Sequence, residues 1–572
     1  MTEQGVLTGY APSTAKRYRF AVPVLFVIMF FTGLVGAVSE YILSTTASYI
    51  LGNSIAQFAV TISLMFGMMG VGSYVTKFIK TDSPITAFVV IEMILAVIIG
   101  IAPTVMIASF GYLEHDFKFI QYFLAGSIAL LLGAELPLAV RIAKDFAAIP
   151  ENLSSNLFGD YLGGAVGGFL FASYFTMVRL NQISFIVGGS ALLAGTICYF
   201  YFFRQQSMRR RITCGIALGV VAAFLVVGYN KCGHWALVLD QRLYKDPVIF
   251  ETTSPYQRIV LTYNNARERY QLYLNRNLQF DSLDEKRYHD FLVHPAMSFM
   301  PSGNNLKVLV LGGGDGLALR ELNKYGNVGS VTLVDLDPDM IKASKTQPEL
   351  VKLNRASFAN AKVKILPSDV KPGDLREMIM EGDRSLRARN AAPQSMKISV
   401  NVMHIDADKF LNALVSNVYD VVIIDFPDPR SVELSKLYSV EFYSKVQRFV
   451  AEHGVVAIQS TSVYYSKECY LMIGRTLKAA GFNILQYHGD VPSFGDWGYH
   501  LCWKDGRTVD EMKTQLKTLK GFPVETEYIT PLLVANAVDF GKGVLDSQYP
   551  NDVNTLMRPM LLQLYMKSLV VD

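Results

Sequence analysis

Five aspartates stand at or just beyond the ends of apolar segments in the second half of the chain. They are Asp315, Asp335, Asp406 and Asp425, each following a segment typical of a buried strand, and Asp428 shortly after the last of them. In an open parallel sheet, ligands bind outside the carboxyl ends of the strands. One acidic strand end usually caps a helix, but four in succession indicate a shared cleft. Such a cleft would repel an anion and favours a cation, or a ligand with a diol and an amine.

A glycine turn precedes the first of these aspartates. Residues 308–311 are apolar, three glycines from Gly312 to Gly314 follow, and a helix is predicted after Asp315. Glycine permits a tight turn and close approach of a ligand to the backbone. Strand, glycine turn and helix open a nucleotide-binding Rossmann-like sheet, and Asp335 stands where an acidic residue holds a ribose diol. We therefore predict a nucleotide-type ligand at this turn.

The segments around the turn predict two sheets. Short alternating segments at 248–252, 257–263 and 270–274, with a turn at 275–277, predict a small antiparallel sheet. Ser282 and Glu285 match a capping box, which predicts a helix start. Strands and helices then alternate, with strands predicted at 331–335, 399–406, 419–425, 454–459 and 482–487. The polar segment 367–397 is predicted to be an inserted surface loop.

The first half is apolar enough to lie in a membrane. Segments long enough to span it lie at 20–43, 55–77, 85–111, 119–140, 157–178, 182–203 and 212–229. Basic residues collect before the first segment and in alternate connections, as at Lys16, Arg17, Lys77, Arg141 and Arg209, so the N-terminus is predicted to be cytoplasmic in a bacterial-type inner membrane. Seven crossings would place the second half outside the cytoplasm. A re-entrant segment or an eighth crossing would return it to the side that supplies metabolites, and these alternatives stay open.

Four acids lie within these apolar segments: Glu40, Glu92, Glu135 and Asp160. Carboxylates inside a membrane are costly and raise a functional hypothesis. The alternative is that they lie at the interface or pair with a basic residue such as Arg141. Glycines spaced by four, at 163 and 167 and at 164 and 168, predict close helix packing rather than a ligand site.

Composition limits the partners and sets the domain boundaries. The net charge of +4 over 572 residues argues against a nucleic-acid partner, and the five scattered cysteines form no metal motif. We predict a multi-pass membrane domain of about seven helices at 1–235 and a small β-strand domain at 236–300. An α/β Rossmann-like catalytic domain of the aminopropyltransferase or methyltransferase type follows at 301–520, and a C-terminal extension at 521–572.

Short motifs of the second half resemble those of the polyamine aminopropyltransferases, the spermidine synthase family. In family order they are Tyr256-Gln257, the segment 274–280 with Gln279, the segment 284–289 with Tyr288 and His289, the glycine turn with Asp315, the segment 425–429, and Leu437-Tyr438-Ser439. The resemblance covers roughly residues 246–505. The whole chain, including the segment 491–498, is similar to the subgroup that carries a membrane domain in front.

The resemblance implies transfer of an aminopropyl group from decarboxylated S-adenosylmethionine to an amine, usually putrescine, with release of methylthioadenosine. It implies no resident cofactor and no metal; the partners are the two small molecules, membrane lipid and, as in the soluble relatives, further copies of the chain. By position, Gln257 and Asp335 would bind the ribose side, Asp406 the adenine, and Asp315 with His289 the aminopropyl end. Asp425, Asp428 and Tyr288 would handle the acceptor amine, with Asp425 as general base. Gln279, Gly312 and Gly314 complete the expected donor site.

Two departures and two competing functions stand beside this expectation. The family often has an acceptor-pocket glutamate where this chain has Ser460-Thr461-Ser462, and a tyrosine where it has Val491. Putrescine as acceptor is therefore in question. A methyltransferase or another S-adenosylmethionine-type enzyme could use the same donor site. A polyamine transporter or sensor with a binding-only soluble domain is motivated by the intramembrane acids.

Overall fold

A computed structural model describes residues 20–51, 54–78, 83–112, 116–144, 149–175, 178–203, 206–302, 305–359, 362–364, 398–414 and 418–568. The chain divides into two compact units, residues 1–245 and 246–572. The predicted insertion at 367–397 lies outside the described residues. The predicted domain boundaries stay predictions.

The first unit is built from long helices. Those described are α1 (Ala21–Leu51), α2 (Ser54–Val75), α3 (Pro84–Tyr112), α4 (Phe117–Ala143), α5 (Ile149–Ser173), α6 (Leu180–Phe202) and α7 (Met208–Arg242). Six of the seven are long and apolar enough to cross a membrane, and α5 is the one that falls short. Asp160 and the polar residues near its start lower the hydropathy of α5, in the region where the sequence is richest in glycine.

Glycines bring α5 against α1. A Cβ on Gly163 would lie 1.9 Å from the carbonyl oxygen of Phe30, and one on Gly33 would lie 1.9 Å from the carbonyl oxygen of Asp160. Gly167 likewise lies against Leu34. The prediction that glycines spaced by four serve close packing is confirmed for this face, because a larger side chain would separate the two backbones.

Contacts between helices give their directions. Successive positions of α5 meet successive positions of α1, so these two helices run parallel. Helix α3 meets α6 in the opposite sense, since Gly195 lies against Glu92 and Ser184 donates to the Gly100 carbonyl at 2.8 Å.

The second unit begins with a four-stranded antiparallel sheet of β1 (Val248–Thr253), β2 (Arg258–Asn264), β3 (Arg269–Leu274) and β4 (Asn277–Asp281). The predicted turn joins β3 to β4, with φ of 47° at Asn275 and 67° at Arg276. Strand β4 was not predicted. The predicted capping box is wrong: helix α8 (Glu285–Met297) begins after Asp284, and the Ser282 hydroxyl accepts the Tyr270 N–H at 2.8 Å instead.

An eight-stranded sheet forms the core of this unit, in the order β11-β12-β10-β9-β5-β6-β8-β7. Its strands are β5 (Leu306–Gly312), β6 (Val328–Asp335), β7 (Lys362–Lys364), β8 (Ser399–His404), β9 (Tyr419–Asp425), β10 (Val450–Ser462), β11 (Asn483–Val491) and β12 (Gly495–Trp503). Strands β5 to β10 pair in parallel, while β12 is antiparallel to both neighbours. The order reverses between β5 and β9, which is where such sheets open a cleft.

Helices cover both faces of this sheet's buried apolar strands. They are α9 (Leu317–Leu322), α10 (Pro338–Thr346), α11 (Pro348–Leu353), α12 (Ala407–Ala413), α13 (Val432–Ser435), α14 (Val440–Phe449), α15 (Lys467–Ala479), α16 (Val509–Lys517), α17 (Pro531–Ala537) and α18 (Met560–Ser568). The predicted fold class is confirmed: an apolar helical unit, a small antiparallel sheet and a Rossmann-like α/β domain.

Candidate active site

The carboxyl ends of β5 and β9 bring together three charged side chains. His289, Asp315 and Asp425 each offer one nitrogen or oxygen atom, and these atoms lie within 4.8 Å of one another. Gly312 pairs with Asp425 across the two strands, and a Cβ on Gly312 would lie 2.2 Å from the Asp425 carbonyl oxygen. Its φ of 85° is also one that glycine adopts without strain. Glycine is thus required where the two strand ends meet.

Tyr288 and His289 reach this cluster from α8. The Tyr288 hydroxyl donates a hydrogen bond to Asp425 Oδ1 at 2.6 Å. The Tyr288 carbonyl accepts the hydroxyl of Tyr499 at 3.1 Å, which fixes the helix against β12. The rings of Phe494 and Trp497 flank the Tyr288 ring, each with a centroid separation of 6.3 Å. The Asp425 carboxylate therefore lies close to a group of aromatic rings.

A buried ion network supports His289. Its Nδ1 lies 3.0 Å from Glu285 Oε2, and Arg320 donates two hydrogen bonds to the Glu285 carboxylate at 2.8 and 3.0 Å. Burial alone lowers the pKa of His289, but the Glu285 hydrogen bond and the charges of Asp315 and Asp425 outweigh it and raise that pKa to about 9. His289 is therefore a cation near neutral pH. The predicted absence of a metal stays a prediction.

The same surroundings tune Asp425. Burial raises the pKa of Asp425 and the charge of Asp315 raises it further, whereas His289 and the Tyr288 hydrogen bond lower it, with a result of about 6. A carboxyl group with this pKa is mostly ionised at pH 7 and is a better base than an ordinary aspartate. A general base is most effective when its pKa approaches the working pH.

The end of β6 faces the glycine turn. Asp335 Oδ2 accepts the Gly314 N–H at 3.0 Å, and Oδ1 accepts the Asp337 N–H at 2.9 Å. Burial is the main cause of an Asp335 pKa of about 7. A Cβ on Gly314 would lie 2.6 Å from Asp335 Oδ2, so no larger residue fits there without displacing the carboxylate.

Gln257 reaches the end of β6 through a residue that the sequence interpretation missed. Asp337 caps α10 by accepting the Asp339 N–H, and its Oδ2 accepts hydrogen bonds from Ser254 Oγ and Gln257 Nε2, both at 2.8 Å. Asp337 could have been found from the sequence, because it is a second acidic residue only two positions after Asp335.

Two predicted donor-site residues have other partners. Asp406 caps α12 through the N–H groups of Asp408 and Lys409, and its Oδ2 lies 2.7 Å from Lys436 Nζ. It lies beyond the end of β8, not within the strand as predicted. The Gln279 amide donates to the carbonyls of Asn277 and Leu278, at 3.1 and 3.3 Å. Among the described contacts, neither side chain is bonded to the His289–Asp315–Asp425 cluster.

Asp428 is held by the C-terminal segment. The Tyr565 hydroxyl, on α18, donates to Asp428 Oδ2 at 2.7 Å, and Arg430 Nη2 lies 3.6 Å from the same oxygen. Within the described part of the chain, the buried Asp428 Oδ1 has no hydrogen-bond partner. One oxygen is thus fixed, and the other is left without a protein partner. Nothing in the local sequence signalled Tyr565, because it lies 137 residues from Asp428.

Tyr438 and Gln459 hold the turn between Asp425 and Asp428 in place. Tyr438 donates to the carbonyls of Phe426 and Pro427 at 3.2 and 3.1 Å, and Gln459 Nε2 donates to the Tyr438 hydroxyl at 2.6 Å. These contacts set the separation of the two aspartates. Tyr438 belongs to a family-like motif of the sequence, so its place beside the turn accounts for that motif.

The departures from the family pattern lie next to this turn. Thr461 is buried and has a φ of 65°, a strained value for a β-branched residue. Its neighbour Ser460 contacts the buried His500, with Oγ 2.8 Å from Nδ1. In the Val491 segment, Asp284 accepts hydrogen bonds from Ser493 N and Oγ at 2.6 and 3.0 Å. Hydroxyl groups thus stand where an acidic residue was expected.

The sequence of this chain is similar to those of known proteins. A sequence model of the spermine/spermidine synthase domain matches residues 285–371 and 378–513. A polyamine aminopropyltransferase of Oceanobacillus iheyensis is 34% identical over 544 residues, 93% of this chain and 95% of its own. Polyamine aminopropyltransferase 2 of Aquifex aeolicus is 32% identical over 94% of this chain and 97% of its own.

A solved structure is also similar. The spermidine synthase from Thermotoga maritima aligns at 21% identity and a TM-score of 0.39, covering 52% of this chain and 87% of its own. The sequence relatives are the decisive finding, because a match of 544 residues is longer than the second unit and must include the helical one. The chain belongs to the polyamine aminopropyltransferase family.

Proposed function

We propose that the protein transfers the aminopropyl group of decarboxylated S-adenosylmethionine to an amine acceptor and releases methylthioadenosine. The observation that carries this proposal is the grouping of His289, Asp315 and Asp425 beside Tyr288 at the reversal of the sheet order. It supplies a base, a carboxylate for an ammonium group and a positioned phenol. Neither a covalent nucleophile nor a metal is needed for this displacement.

The donor lies along the glycine turn in this proposal. Asp335 takes the ribose diol, and Gln257, through its bond to Asp337, borders that site; Gly312 and Gly314 admit the ligand to the backbone. Asp315 holds the ammonium of the aminopropyl group. The Asp315 carboxylate would repel the additional carboxylate of intact S-adenosylmethionine, which selects against that commoner metabolite. Asp406 is assigned to the adenine and Gln279 to the donor site in general, and binding would require both to exchange or share their present partners.

The acceptor lies between Asp425 and Asp428. A neutral nitrogen of the amine attacks the methylene carbon next to the sulfonium, forming the C–N bond as the C–S bond breaks. The electron pair of the broken bond stays on sulfur, giving the neutral thioether of methylthioadenosine, and Asp425 takes the proton that the nitrogen sheds. Tyr288 orients Asp425, and Asp428 holds the acceptor through Oδ1, the oxygen that has no partner in the described chain. Positioning two reactants in line supplies much of the rate acceleration.

We propose that the acceptor differs from putrescine at its far end. The expected glutamate is replaced by Ser460, the strained Thr461 and Ser462. A second ammonium group of the acceptor would therefore find less negative charge there. An acceptor with a neutral or hydroxylated far end fits this chemistry better than a short diamine.

We propose that the first unit is a multi-pass domain of a bacterial-type inner membrane, with residues 1–235 forming it and residues 301–520 forming the catalytic core. Helix α5 spans about 37 Å, at 1.5 Å per residue over its 25 residues, and runs parallel to α1, which supports seven crossings. The six helices of sufficient hydropathy support the alternative in which both ends of this unit share one side. Labelling of a cysteine introduced at the exposed Gly326 with a membrane-impermeant maleimide, in intact cells and in inverted vesicles, assigns the side of the second unit.

The test of the reaction uses purified full-length protein with decarboxylated S-adenosylmethionine and a panel of mono-, di- and triamines. Methylthioadenosine is followed by mass spectrometry. Amine-dependent release supports the proposal, and the best amine identifies the acceptor. Methyl transfer from intact S-adenosylmethionine, without release from the decarboxylated donor, would favour a methyltransferase instead. Donor binding without any turnover would favour a sensor.

A further inference from the structure

The helical unit contains a group of buried acids that the proposed reaction does not use. Glu92 on α3 is fully buried, and among the described residues neither of its carboxylate oxygens has a hydrogen-bond partner. Glu135 on α4 is 2% exposed, and its Oε1 is likewise without a partner in the described chain. Glu135 interacts electrostatically with both Glu92 and Asp160, the latter on α5, and contacts the Thr32 hydroxyl on α1.

The expectation that these acids pair with a basic residue fails for Glu92, since neither of its oxygens has a hydrogen-bond partner in the described chain. Arg141 donates to the Thr76 carbonyl at 2.8 Å, at the end of the bundle. Unpartnered carboxylates inside a membrane are expensive, and those that persist mark pathways or ligand sites. Glycine makes room for Glu92: a Cβ on Gly195 would lie 2.9 Å from Glu92 Cβ.

The acids lie at similar depth in the bundle. Glu92 is eight residues from the start of α3 and Glu135 eight residues from the end of α4, which is about 12 Å at 1.5 Å per residue. Arg141 lies in the last turn of α4, and Lys77 lies in the short turn that precedes α3 in the chain. The group therefore lies between the basic end of the bundle and its middle.

The spacing indicates the kind of ligand. In the described part of the chain, groups of three or more histidine, cysteine or acid side chains whose ligand atoms all lie within 4.8 Å of one another occur only in the second unit. The three intramembrane acids are thus too far apart to share one small metal ion. Carboxylates distributed over three helices suit a longer cation whose several N–H groups reach more than one of them.

We infer that Glu92 and Glu135, with Asp160 beside them, form a binding site for an alkylammonium compound within the membrane bundle. That this compound is an oligoamine handled by the second unit rests on the proposed function. The site would give the helical unit a role in taking up or releasing the amine.

The test is the stoichiometry of radiolabelled spermidine bound to full-length protein in lipid nanodiscs. We expect each wild-type chain to bind one spermidine more than the Glu92→Gln variant or the Glu135→Gln variant binds. Glu40→Gln is the matched control, since Glu40 is an intramembrane acid for which no interaction with this group occurs among the described residues. This variant should bind as many spermidines as wild type. None of the three variants should change methylthioadenosine release in detergent.

The double variant Asp425→Asn/Asp428→Asn separates this inference from the proposed function. It should lose turnover and keep the spermidine that Glu92→Gln removes. One spermidine per wild-type chain, lost in the double variant and unchanged by Glu92→Gln, would overturn the intramembrane site while leaving the reaction intact. If wild type binds two spermidines and neither Glu92→Gln nor Glu135→Gln changes that number, the intramembrane site is overturned as well. If Glu92→Gln and Glu135→Gln both fail to fold, the number of spermidines bound by wild type and by the Asp425→Asn/Asp428→Asn variant decides whether the intramembrane site exists.

Discussion

The Tyr288 hydroxyl donates to Asp425 Oδ1 at 2.6 Å, from the first turn of α8 to the last residue of β9. This bond orients one oxygen of a carboxylate that lies beside His289 and Asp315. The proposed base therefore has a fixed direction before any substrate arrives. The bond also links α8 to the end of β9, next to the point between β5 and β9 where the strand order reverses.

The pH dependence of the reaction should report Asp425. Its pKa of about 6 means that the carboxylate is ionised above pH 6 and protonated below it. We expect kcat/KM to fall about tenfold per pH unit below pH 6, with an apparent pKa near 6. The measurement is methylthioadenosine release from pH 4.5 to 9. An acid limb centred at pH 4 would show that another carboxylate is the base.

Gly314→Ala should weaken donor binding. The added methyl group would lie 2.6 Å from Asp335 Oδ2 and 2.8 Å from its Cγ, so the carboxylate must move. We expect Kd for the donor to rise roughly tenfold, the equivalent of about one lost hydrogen bond. Isothermal titration calorimetry measures it. Gly326→Ala is the matched control, because a Cβ there meets no atom within 4 Å; equal affinities of both variants would remove Asp335 from the ribose site.

Tyr565→Phe should impair acceptor use while sparing the donor. The ring and its packing remain, but Asp428 Oδ2 loses the hydroxyl that holds it at 2.7 Å. We expect KM for the amine to rise about five- to tenfold, with donor Kd unchanged. Tyr549→Phe, on the same C-terminal segment, serves as control. An unchanged amine KM would mean that Asp428 does not contact the acceptor.

Asp425→Asn should stabilise the protein at neutral pH. A carboxyl whose pKa is raised in the folded state binds protons more tightly there than in the unfolded chain, so its ionisation costs stability as pH rises from about 4 to 6. The asparagine removes that cost. We expect a Tm a few degrees above that of wild type at pH 7.5, converging with it near pH 4. A lower Tm at pH 7.5 would indicate that the ionised Asp425 is needed for the fold.

The sequence predicted what depends on local pattern. The glycine turn, the acidic strand ends and the long apolar helices follow from periodicity and from backbone geometry. Strands β4 and β12 were missed because their signals lie next to turns and in a mixed polar-aromatic segment. Glu285 was misassigned as the partner of Ser282 in a capping box because its buried partner, Arg320, lies 35 residues away.

In the site too, the positions that follow from strand order were predictable and the contacts between distant segments were not. Asp425 and Asp315 could be placed together because parallel strands share an edge. The hold of Tyr565 on Asp428 could not be foreseen, since it depends on how the C-terminal segment folds back. Asp406 looked like a strand end and is a helix cap, a case in which one carboxylate satisfies two patterns.

The most direct test of the account is methylthioadenosine release by Asp425→Asn, measured with decarboxylated S-adenosylmethionine and the best amine. Asn keeps the shape of the side chain and still binds a hydrogen-bond donor, but it cannot accept the proton of the attacking amine. We expect kcat to fall by roughly 100- to 10,000-fold, with donor Kd changed less than threefold. A kcat within a factor of three of wild type would contradict the assignment of Asp425 as the base.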